Sequence, residues 1–324
     1  MVLGKLARRI SPASARAQHV TGIEAEPAHH GEAVRALLGS ATERAVLVAP
    51  FIKTEAFEYV IGELNADCEL VCVTRWLPRD VASGVSDLGI LDVIEGRGNS
   101  QLRLLDDLHA KLYAADDTCL VGSANVTLAG LGLRPQANTE LLVEVPRSDD
   151  AVTQLLELVL ERSRPATRNE ALQVAALARF VRADDLLEHR EEVWLPSSMR
   201  PELAFDLYND FDREQAQLTF SQQATLTDIA RAGLPSGLGR DEFESRIHDL
   251  LASVPEVEEF LDSDEMQVLE PGNLELRFAD LVKRNLIADP VEGWSALSKW
   301  LEAFFSELFT QVEGSTVVRK GTVE

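Results

Sequence analysis

The chain has 324 residues, enough to bury a substantial core and to favour two domains over one. It carries 31 Lys/Arg against 54 Asp/Glu, and its net charge of −23 argues against tight non-specific binding of nucleic acid over a broad surface. Most of the acidic excess lies in residues 151–324, which hold 17 Lys/Arg and 33 Asp/Glu. No apolar run is long enough to span a bilayer, so a soluble, cytoplasmic protein without membrane engagement is expected.

The N-terminal segment is basic. Met1–Gln18 contains no acidic residue and carries Lys5, Arg8, Arg9 and Arg16. It lacks the continuous apolar stretch of a secretory signal. We interpret residues 1–28 as a basic arm or linker, with a transit peptide as the alternative.

Three cysteines lie in or beside apolar, strand-like runs: Cys68, Cys72 and Cys119. Their odd number, without a secretory signal, predicts buried free thiols in a reducing compartment. Cys68 and Cys72 have no neighbouring His or Cys pair that would complete a zinc site, so no metal is expected there.

Helical and strand patterns alternate over residues 31–145. Amphipathic spacing predicts helices over residues 31–41, 54–64 and 87–96. Apolar or alternating runs predict strands over residues 45–50, 68–74, 101–105 and 138–145, with a hairpin over residues 108–121. The alternation indicates an α/β sheet covered by helices on both faces.

The predicted hairpin holds the residues with the most chemistry. His109, Lys111 and Asp116 follow the order H-x-K-x4-D, and Gly122-Ser123-Ala124-Asn125 comes shortly after them. On a strand, His109 and Lys111 would share a face. A helical pattern after Asn125 predicts a strand-to-helix junction, where hydroxyl, amide and backbone N–H groups can bind an anion. The combination predicts a phosphate site that contains a nucleophile.

This stretch resembles the signature of the phospholipase D superfamily, the HKD motif. The resemblance covers about Val46–Val145 and has one departure: five residues separate Asp116 from Gly122, where many members have six. It implies a phospholipase D-like α-β-α sandwich with a mixed sheet, the catalytic domain, which we assign to residues 29–147. It also implies a phosphodiesterase that needs no metal or other cofactor.

The resemblance assigns roles to individual residues. His109 would attack phosphorus, Lys111 would neutralise charge, and Ser123 and Asn125 would hold the phosphoryl oxygens. Asn138-Thr139-Glu140 resembles the element whose Glu orients the nucleophilic His, so Glu140 is the candidate for that role. Asp116 and Gly122 are expected to be structural, with Asp116 hydrogen-bonded within its turn.

The motif occurs once. His189 and His248 are followed by Arg190-Glu191 and Asp249-Leu250, so neither begins a second H-x-K. In the family that the motif resembles, one active site uses two motifs, one for attack and one to protonate the leaving group. The single copy therefore predicts a homodimer with the active site at its interface.

A loop after the second predicted strand offers further candidates. Arg75 could contact a phosphate, Trp76 could stack on a base, and Arg79 lies close by in sequence. Loops at the carboxyl ends of sheet strands often line a ligand crevice, which supports a substrate-binding role. The alternative is a core tryptophan and solvated arginines.

Residues 148–324 change character and read as a mainly α-helical accessory, dimerisation or partner-binding domain. Helical patterns cover residues 148–163, 169–193, 241–261, 274–286 and 293–312. The last of these has a broad apolar stripe that fits either a core or an interface.

Three functions remain open at the level of sequence. The first is a homodimeric nuclease that acts on DNA or RNA in a bacterial defence or repair system, with a helicase, translocase or other defence-system subunit as a candidate partner. The second is a lipid phosphodiesterase, which would need the apolar face of residues 293–312 as a membrane-facing surface. The third is a non-catalytic regulator that keeps the fold and binds a partner.

Overall fold

The computed structural model describes residues 30–181, 193–210, 217–261, 267–269, 289–312 and 316–319. The predicted basic arm over residues 1–28 and the predicted helix over residues 274–286 lie outside these ranges. Among the helices of the described residues, none has the length and apolar character needed to cross a membrane.

A mixed sheet of seven strands, in the order β6-β5-β4-β1-β2-β3-β7, organises the first part of the chain. The strands are β1 (Arg44–Val48), β2 (Glu69–Thr74), β3 (Ser100–Leu104), β4 (Leu112–Ala115), β5 (Thr118–Gly122), β6 (Leu142–Pro146) and β7 (Arg164–Pro165). Strands β1, β2 and β3 are parallel, whereas β4, β5, β6 and β7 join by antiparallel pairing. The predicted α/β fold with a mixed sheet is confirmed.

Alternate residues of the strands point to the two faces of the sheet. Together they form the first core of the protein, which has one layer on each face. One face, with Leu47, Cys72 and Tyr113, packs against α1 (His30–Gly39), α2 (Thr54–Ile61) and α4 (Ile90–Arg97). The other face, with Val46 and Val73, packs against α5 (Asp150–Arg162) through Val152, Leu156 and Val159. The short helix α3 (Pro78–Ala82) follows β2. The result is the helix–sheet–helix sandwich that the sequence predicts.

The predicted hairpin is shorter than the sequence pattern indicates. Regular pairing joins only Leu112–Ala115 to Thr118–Val121, and His109 and Lys111 lie in the extended segment before β4. The predicted helix after Asn125 is instead a series of turns over residues 127–132. Ser123 and Asn125 therefore lie at a strand-to-turn junction.

The first core extends past residue 147, where the sequence places a domain boundary. Strand β7 pairs with β3, and α5 covers one face of the sheet. Helix α6 (Arg168–Ala178) contributes Ala171 and Val174 to the first core and Leu177 to the next one. The sandwich thus includes residues up to α6, because α5 and β7 complete its layers.

A second core follows and is mainly helical, as predicted. Its elements are α7 (Ala204–Asn209), α8 (Phe220–Ala232), α9 (Arg240–Ala252), α10 (Pro255–Leu261) and α11 (Pro290–Phe304). Pro255 divides the helix predicted over residues 241–261. The helix predicted over residues 293–312 ends at Phe304 and continues into a strand. Its Trp294 and Trp300 are fully buried, so its apolar stripe belongs to a core.

A small sheet in this region is absent from the sequence prediction. Strands β8 (Gln267–Leu269), β9 (Phe309–Val312) and β10 (Thr316–Arg319) form an antiparallel sheet in the order β8-β10-β9. All three cysteines are free and buried, as predicted.

Candidate active site

The candidate residues converge on one edge of the seven-stranded sheet. Parallel strands β1 and β2 end there at Val48 and Thr74, and Val48 pairs with Leu112 at the start of β4. Gly122, at the end of β5, pairs with Leu142, at the start of β6. The segments that carry Arg75, Lys111, Ser123 and Glu140 therefore lie at the same end of the strands, because β1 and β2 run parallel while β4, β5 and β6 alternate in direction.

His109 and Lys111 form the first half of the site. The His109 side chain is exposed, and none of the described residues hydrogen-bonds to its ring. Lys111 is only 9% exposed, and its Nζ donates to the backbone carbonyl of His109 at 2.8 Å. An imidazole open to solvent thus lies beside an ammonium group that the backbone holds in place.

Electrostatics separate Lys111 from an ordinary surface lysine. Burial, and secondarily the charge of Arg75, lower the pKa of its ammonium group, while Glu140 acts in the opposite direction. The charged form is poorly solvated here. An anionic ligand would add counter-charge beyond that of Glu140, as expected of a phosphate site.

Ser123, Asn125 and Glu140 form the second half. Ser123 Oγ donates to Glu140 Oε2, and it accepts from the backbone N–H of Leu141 at 3.1 Å. Asn138 Nδ2 donates to Glu140 Oε1 at 3.1 Å. Asn125 Oδ1 accepts from the backbone N–H of Phe51 at 3.4 Å, which leaves its Nδ2 group able to donate to a ligand.

This geometry corrects the predicted contact of Glu140. The sequence resemblance implies that its carboxylate orients His109, but both carboxylate oxygens bind elsewhere, to Ser123 and Asn138. Among the described residues there is no Glu140–His109 hydrogen bond. Glu140 reaches the site through Ser123 because β6 begins directly beside the end of β5.

Two residues that the sequence analysis did not single out support this half. Tyr113 is buried and its hydroxyl donates to the carbonyl of Ala124 at 2.7 Å, between Ser123 and Asn125. Burial raises the pKa of Tyr113, so it stays a neutral donor. His30 Nε2 lies 3.1 Å from the carbonyl of Glu140. Neither residue has a sequence signal, because each acts through a backbone atom.

Gly122 is required by the close approach of two strands. A Cβ atom at this position would lie 1.8 Å from the carbonyl oxygen of Leu141. The absence of a side chain lets β6 approach β5 closely at the point where Ser123 and Glu140 meet.

Asp116 lies at the opposite end of β4 from Lys111. Its φ of 45° is in the left-handed region, and its carboxylate accepts from the backbone N–H groups of Thr42, Glu43 and Arg44 and from the Thr42 hydroxyl. These hydrogen bonds lower its pKa well below the usual range. Asp116 ties the hairpin turn to the start of β1 and has no contact with the site.

The three loop residues after β2 have different surroundings. Trp76 is 1% exposed and packs in the first core, so its ring cannot stack on a base, contrary to the sequence interpretation. The Arg79 side chain is 64% exposed and lies 4.0 Å from Asp80. The Arg75 side chain is only 13% exposed and is engaged by protein groups.

Within the described residues, no group of three or more His, Cys, Asp or Glu side chains is arranged to hold a metal ion. The donor set of the site consists of an imidazole, an ammonium, a hydroxyl and a carboxamide. Such a set suits an oxyanion rather than a divalent cation.

Comparison with known proteins gives structural similarity only. No protein-family model and no curated protein sequence matches the chain. Among solved structures, it is similar to NucT from Helicobacter pylori (11% identity, TM-score 0.33) and to Nuc from Salmonella typhimurium, a phospholipase D family member (17%, 0.33). Each match covers 42% of this chain and 89% of the other.

A third similar structure is TrmBL2, an archaeal chromatin protein, with 15% identity and a TM-score of 0.29 over 42% of this chain and 49% of that one. These identities and TM-scores are too low to support an argument about activity. Any activity has to be inferred from the side chains of the site.

Proposed function

We propose that this protein is a metal-independent phosphodiesterase, a homodimeric nuclease that acts on DNA or RNA in a bacterial defence or repair system. The observation that carries the proposal is the exposed imidazole of His109 beside the buried ammonium of Lys111, at a sheet edge shared with Ser123 and Asn125. A nucleophile, a cationic donor and neutral donors, the groups that phosphoryl transfer requires, thus lie on neighbouring segments at one end of the sheet.

The reaction proceeds in two displacements. A ring nitrogen of His109 attacks the diester phosphorus, a P–N bond forms, and the P–O bond to the leaving alcohol breaks. The His109 of a second copy gives its proton to the departing oxygen. That ring then removes a proton from water, which attacks phosphorus, breaks the P–N bond and returns the first His109.

The other side chains stabilise charge. The ammonium of Lys111 faces the negative charge that develops on the non-bridging oxygens, which adds to the more limited counter-charge that Glu140 supplies in the free protein. Asn125 offers its amide N–H groups to the same oxygens. Glu140 fixes the Ser123 hydroxyl, and Tyr113 fixes the backbone between Ser123 and Asn125.

The second copy supplies the acid. The chain has one H-x-K motif, so the second imidazole of the two-step reaction has to come from another copy. Two exposed apolar residues at the start of β6 would be covered by that copy: Leu141 (63% exposed), which contacts Ser123, and Val143 (48% exposed), which pairs with Val121. A dimer axis near the site would bring the two His109 rings together.

The negative net charge of the protein affects how it can bind an anionic substrate. The −23 net charge opposes a polyanion, so recognition has to depend on a local positive site or on a basic partner, such as a helicase or translocase subunit. A lipid substrate is less favoured, because the apolar face over residues 293–312 is inside the second core.

The decisive experiment is nicking of supercoiled plasmid, with single-stranded RNA and DNA alongside, in buffer that contains EDTA. Cleavage by the wild type and none by His109→Ala supports the proposal, and Asp117→Ala, on the exposed hairpin turn, is the matched control. Loss of wild-type cleavage in EDTA would contradict metal independence. No cleavage of nucleic acid, but hydrolysis of phospholipid vesicles, would favour the lipid reading, and hydrolysis of neither would favour the non-catalytic regulator.

A subunit-mixing experiment tests the shared site. Equal amounts of wild type and His109→Ala are refolded together, and activity is compared with wild type at the same total protein concentration. About one quarter should remain if every site needs two His109 rings, against about one half if the sites are independent. Sedimentation of the same samples gives the oligomeric state. Linear loss of activity with the fraction of variant subunits would show that each chain carries a complete site.

A further inference from the structure

The guanidinium of Arg75 contacts three residues of the protein itself: Asp80, Leu108 and Phe51. Its Nε donates to Asp80 Oδ2 at 2.9 Å, and its second terminal nitrogen lies 3.5 Å from Asp80 Oδ1. Its first terminal nitrogen donates to the backbone carbonyl of Leu108 at 3.2 Å. The guanidinium carbon lies 5.0 Å above the ring of Phe51. The group is therefore fixed on several sides.

Two of these partners, Leu108 and Phe51, lead to different parts of the candidate site. The Leu108 carbonyl directly precedes His109, whose own carbonyl accepts from Lys111. Phe51 donates its backbone N–H to Asn125 Oδ1, and its carbonyl accepts from the N–H of Val126 at 3.1 Å. Arg75 thus touches both the segment with the nucleophile and the loop that supports the carboxamide.

We propose that Arg75 is a positioning residue that joins the two halves of the site, with Asp80 fixing its guanidinium and with the Leu108 carbonyl and the Phe51 ring as its points of action. The inference rests on the proposed function. It replaces the reading of Arg75 as a direct phosphate ligand. A lysine could keep the charge but not the three contacts, because it lacks the planar fork and its stacking face.

Burial explains why the pair has to be treated together. The side chains of Arg75 and Asp80 are 13% and 7% exposed, so removal of the arginine alone would leave a buried carboxylate without its counter-ion. Asp80 also has Arg79 4.0 Å away, but that side chain is 64% exposed and cannot take over the inner contacts. The matched control is Arg240, which lies outside the candidate site but also donates to a carboxylate, Asp206, at 2.9 Å and lies 4.3 Å above an aromatic ring, that of Phe205.

The first test is steady-state hydrolysis of bis(p-nitrophenyl) phosphate by the full-length protein. The variants are Arg75→Lys, the charge-balanced double variant Arg75→Met/Asp80→Asn, and Arg240→Met as control. A positioning role of Arg75 predicts that kcat falls about 10- to 100-fold in its variants while KM changes little, and that Arg240→Met behaves like the wild type. The double variant is included because Arg75→Lys could fail to fold.

The second test separates positioning from phosphate binding. With a single-stranded oligonucleotide, a lost phosphate contact would reduce the slope of log kcat/KM against log salt by about 0.7. We expect no change in slope. A raised KM with normal kcat, or a reduced slope, would overturn the proposal in favour of substrate contact. Normal kinetics in both Arg75 variants, or unfolding of both, would also overturn it.

The third test does not need activity. Hydrogen exchange followed by mass spectrometry should show faster exchange in the double variant over residues 108–112 and 122–126, with β2 unchanged. Unchanged exchange in both segments would overturn the positioning role. If the wild type hydrolyses no diester, the proposed function fails while this exchange result still decides whether Arg75 joins the two segments.

Discussion

The ammonium of Lys111 donates to the backbone carbonyl of His109, two residues earlier, at 2.8 Å. The hydrogen bond places a positive charge beside the proposed nucleophile without using its ring. The imidazole therefore stays free to attack, as proposed, while the charge that would stabilise the transition state is already in place.

Lys111 should define the alkaline limb of activity. Burial and Arg75 hold its pKa below the ordinary 10.5, so the ammonium is lost, and the rate falls, as pH rises through that lowered value. Lys111→Met should lower kcat about 100- to 1000-fold. Lys111→Arg should keep part of the activity but lose the alkaline limb, because guanidinium stays charged. The measurement is a pH–rate profile, with Lys299→Arg on α11 as the control. An alkaline limb that is unchanged in Lys111→Arg would show that another group titrates there.

Glu140→Gln should shift the alkaline limb of the pH–rate profile to lower pH, whereas loss of Arg75 should shift it to higher pH. The negative charge of Glu140 raises the pKa of Lys111, so its removal lowers that pKa further. Activity should drop about tenfold as Ser123 loses its carboxylate partner. The pH–rate profile of Glu140→Gln would then fall earlier on the alkaline side, and Glu144→Gln, on the exposed part of β6, should match the wild type.

Gly122→Ala should be strongly destabilising. The added Cβ would meet the Leu141 carbonyl oxygen at 1.8 Å, so β6 has to move away from β5. The expected loss is about 2 to 4 kcal/mol in the free energy of unfolding, measured by urea denaturation. Gly96→Ala in α4, where no atom lies within 4 Å of the new Cβ, should be neutral or stabilising. Equal effects at both positions would refute the close-approach argument.

Asp116→Asn tests the turn without altering its backbone, since Asn tolerates positive φ. It should cost about 1 to 2 kcal/mol at neutral pH, because a carboxamide has one acceptor oxygen for four donors. The folded pKa is depressed, so the carboxylate's contribution is complete above its ordinary 3.8 and disappears as pH falls through the depressed value. Denaturation curves should therefore converge in acid. Asp117→Asn is the control.

Leu141→Asp/Val143→Asp should dissociate the proposed dimer. Both side chains are exposed beside the site, and a charge there would have to be buried on association. Analytical ultracentrifugation should show monomers, with activity falling in parallel. Leu172→Asp is an equally apolar and exposed change on α6 and should leave the dimer intact. A monomeric wild type would remove the basis of this prediction.

Much of the sheet could be predicted because its strands are continuous apolar runs between helices. Strands β1, β2 and β3 appear within a residue or two of their predicted positions. Strand β7 has only two residues, one of them a proline, and strands of three or four residues such as β8 and β9 give too short a pattern to detect. The residues of the motif could be named for the same local reason.

The partners of those residues could not be predicted. Sequence does not distinguish a buried Trp76 from an exposed one, or an Arg75 that holds a backbone carbonyl from one that binds phosphate. The Ser123–Glu140 hydrogen bond depends on the register of β5 against β6, which spacing alone does not give. Roles that act through backbone atoms, such as that of Tyr113, leave no residue pattern at all.

Helix α6 contributes side chains to both cores, with Ala171 and Val174 on one side and Leu177 on the other. Neither core is complete without it. The two parts of the chain should therefore unfold together as one cooperative unit. Expressing either part alone would expose to water the side chains that α6 buries in the other part. The acidic helical region is in this sense a structural component of the part that holds the candidate site.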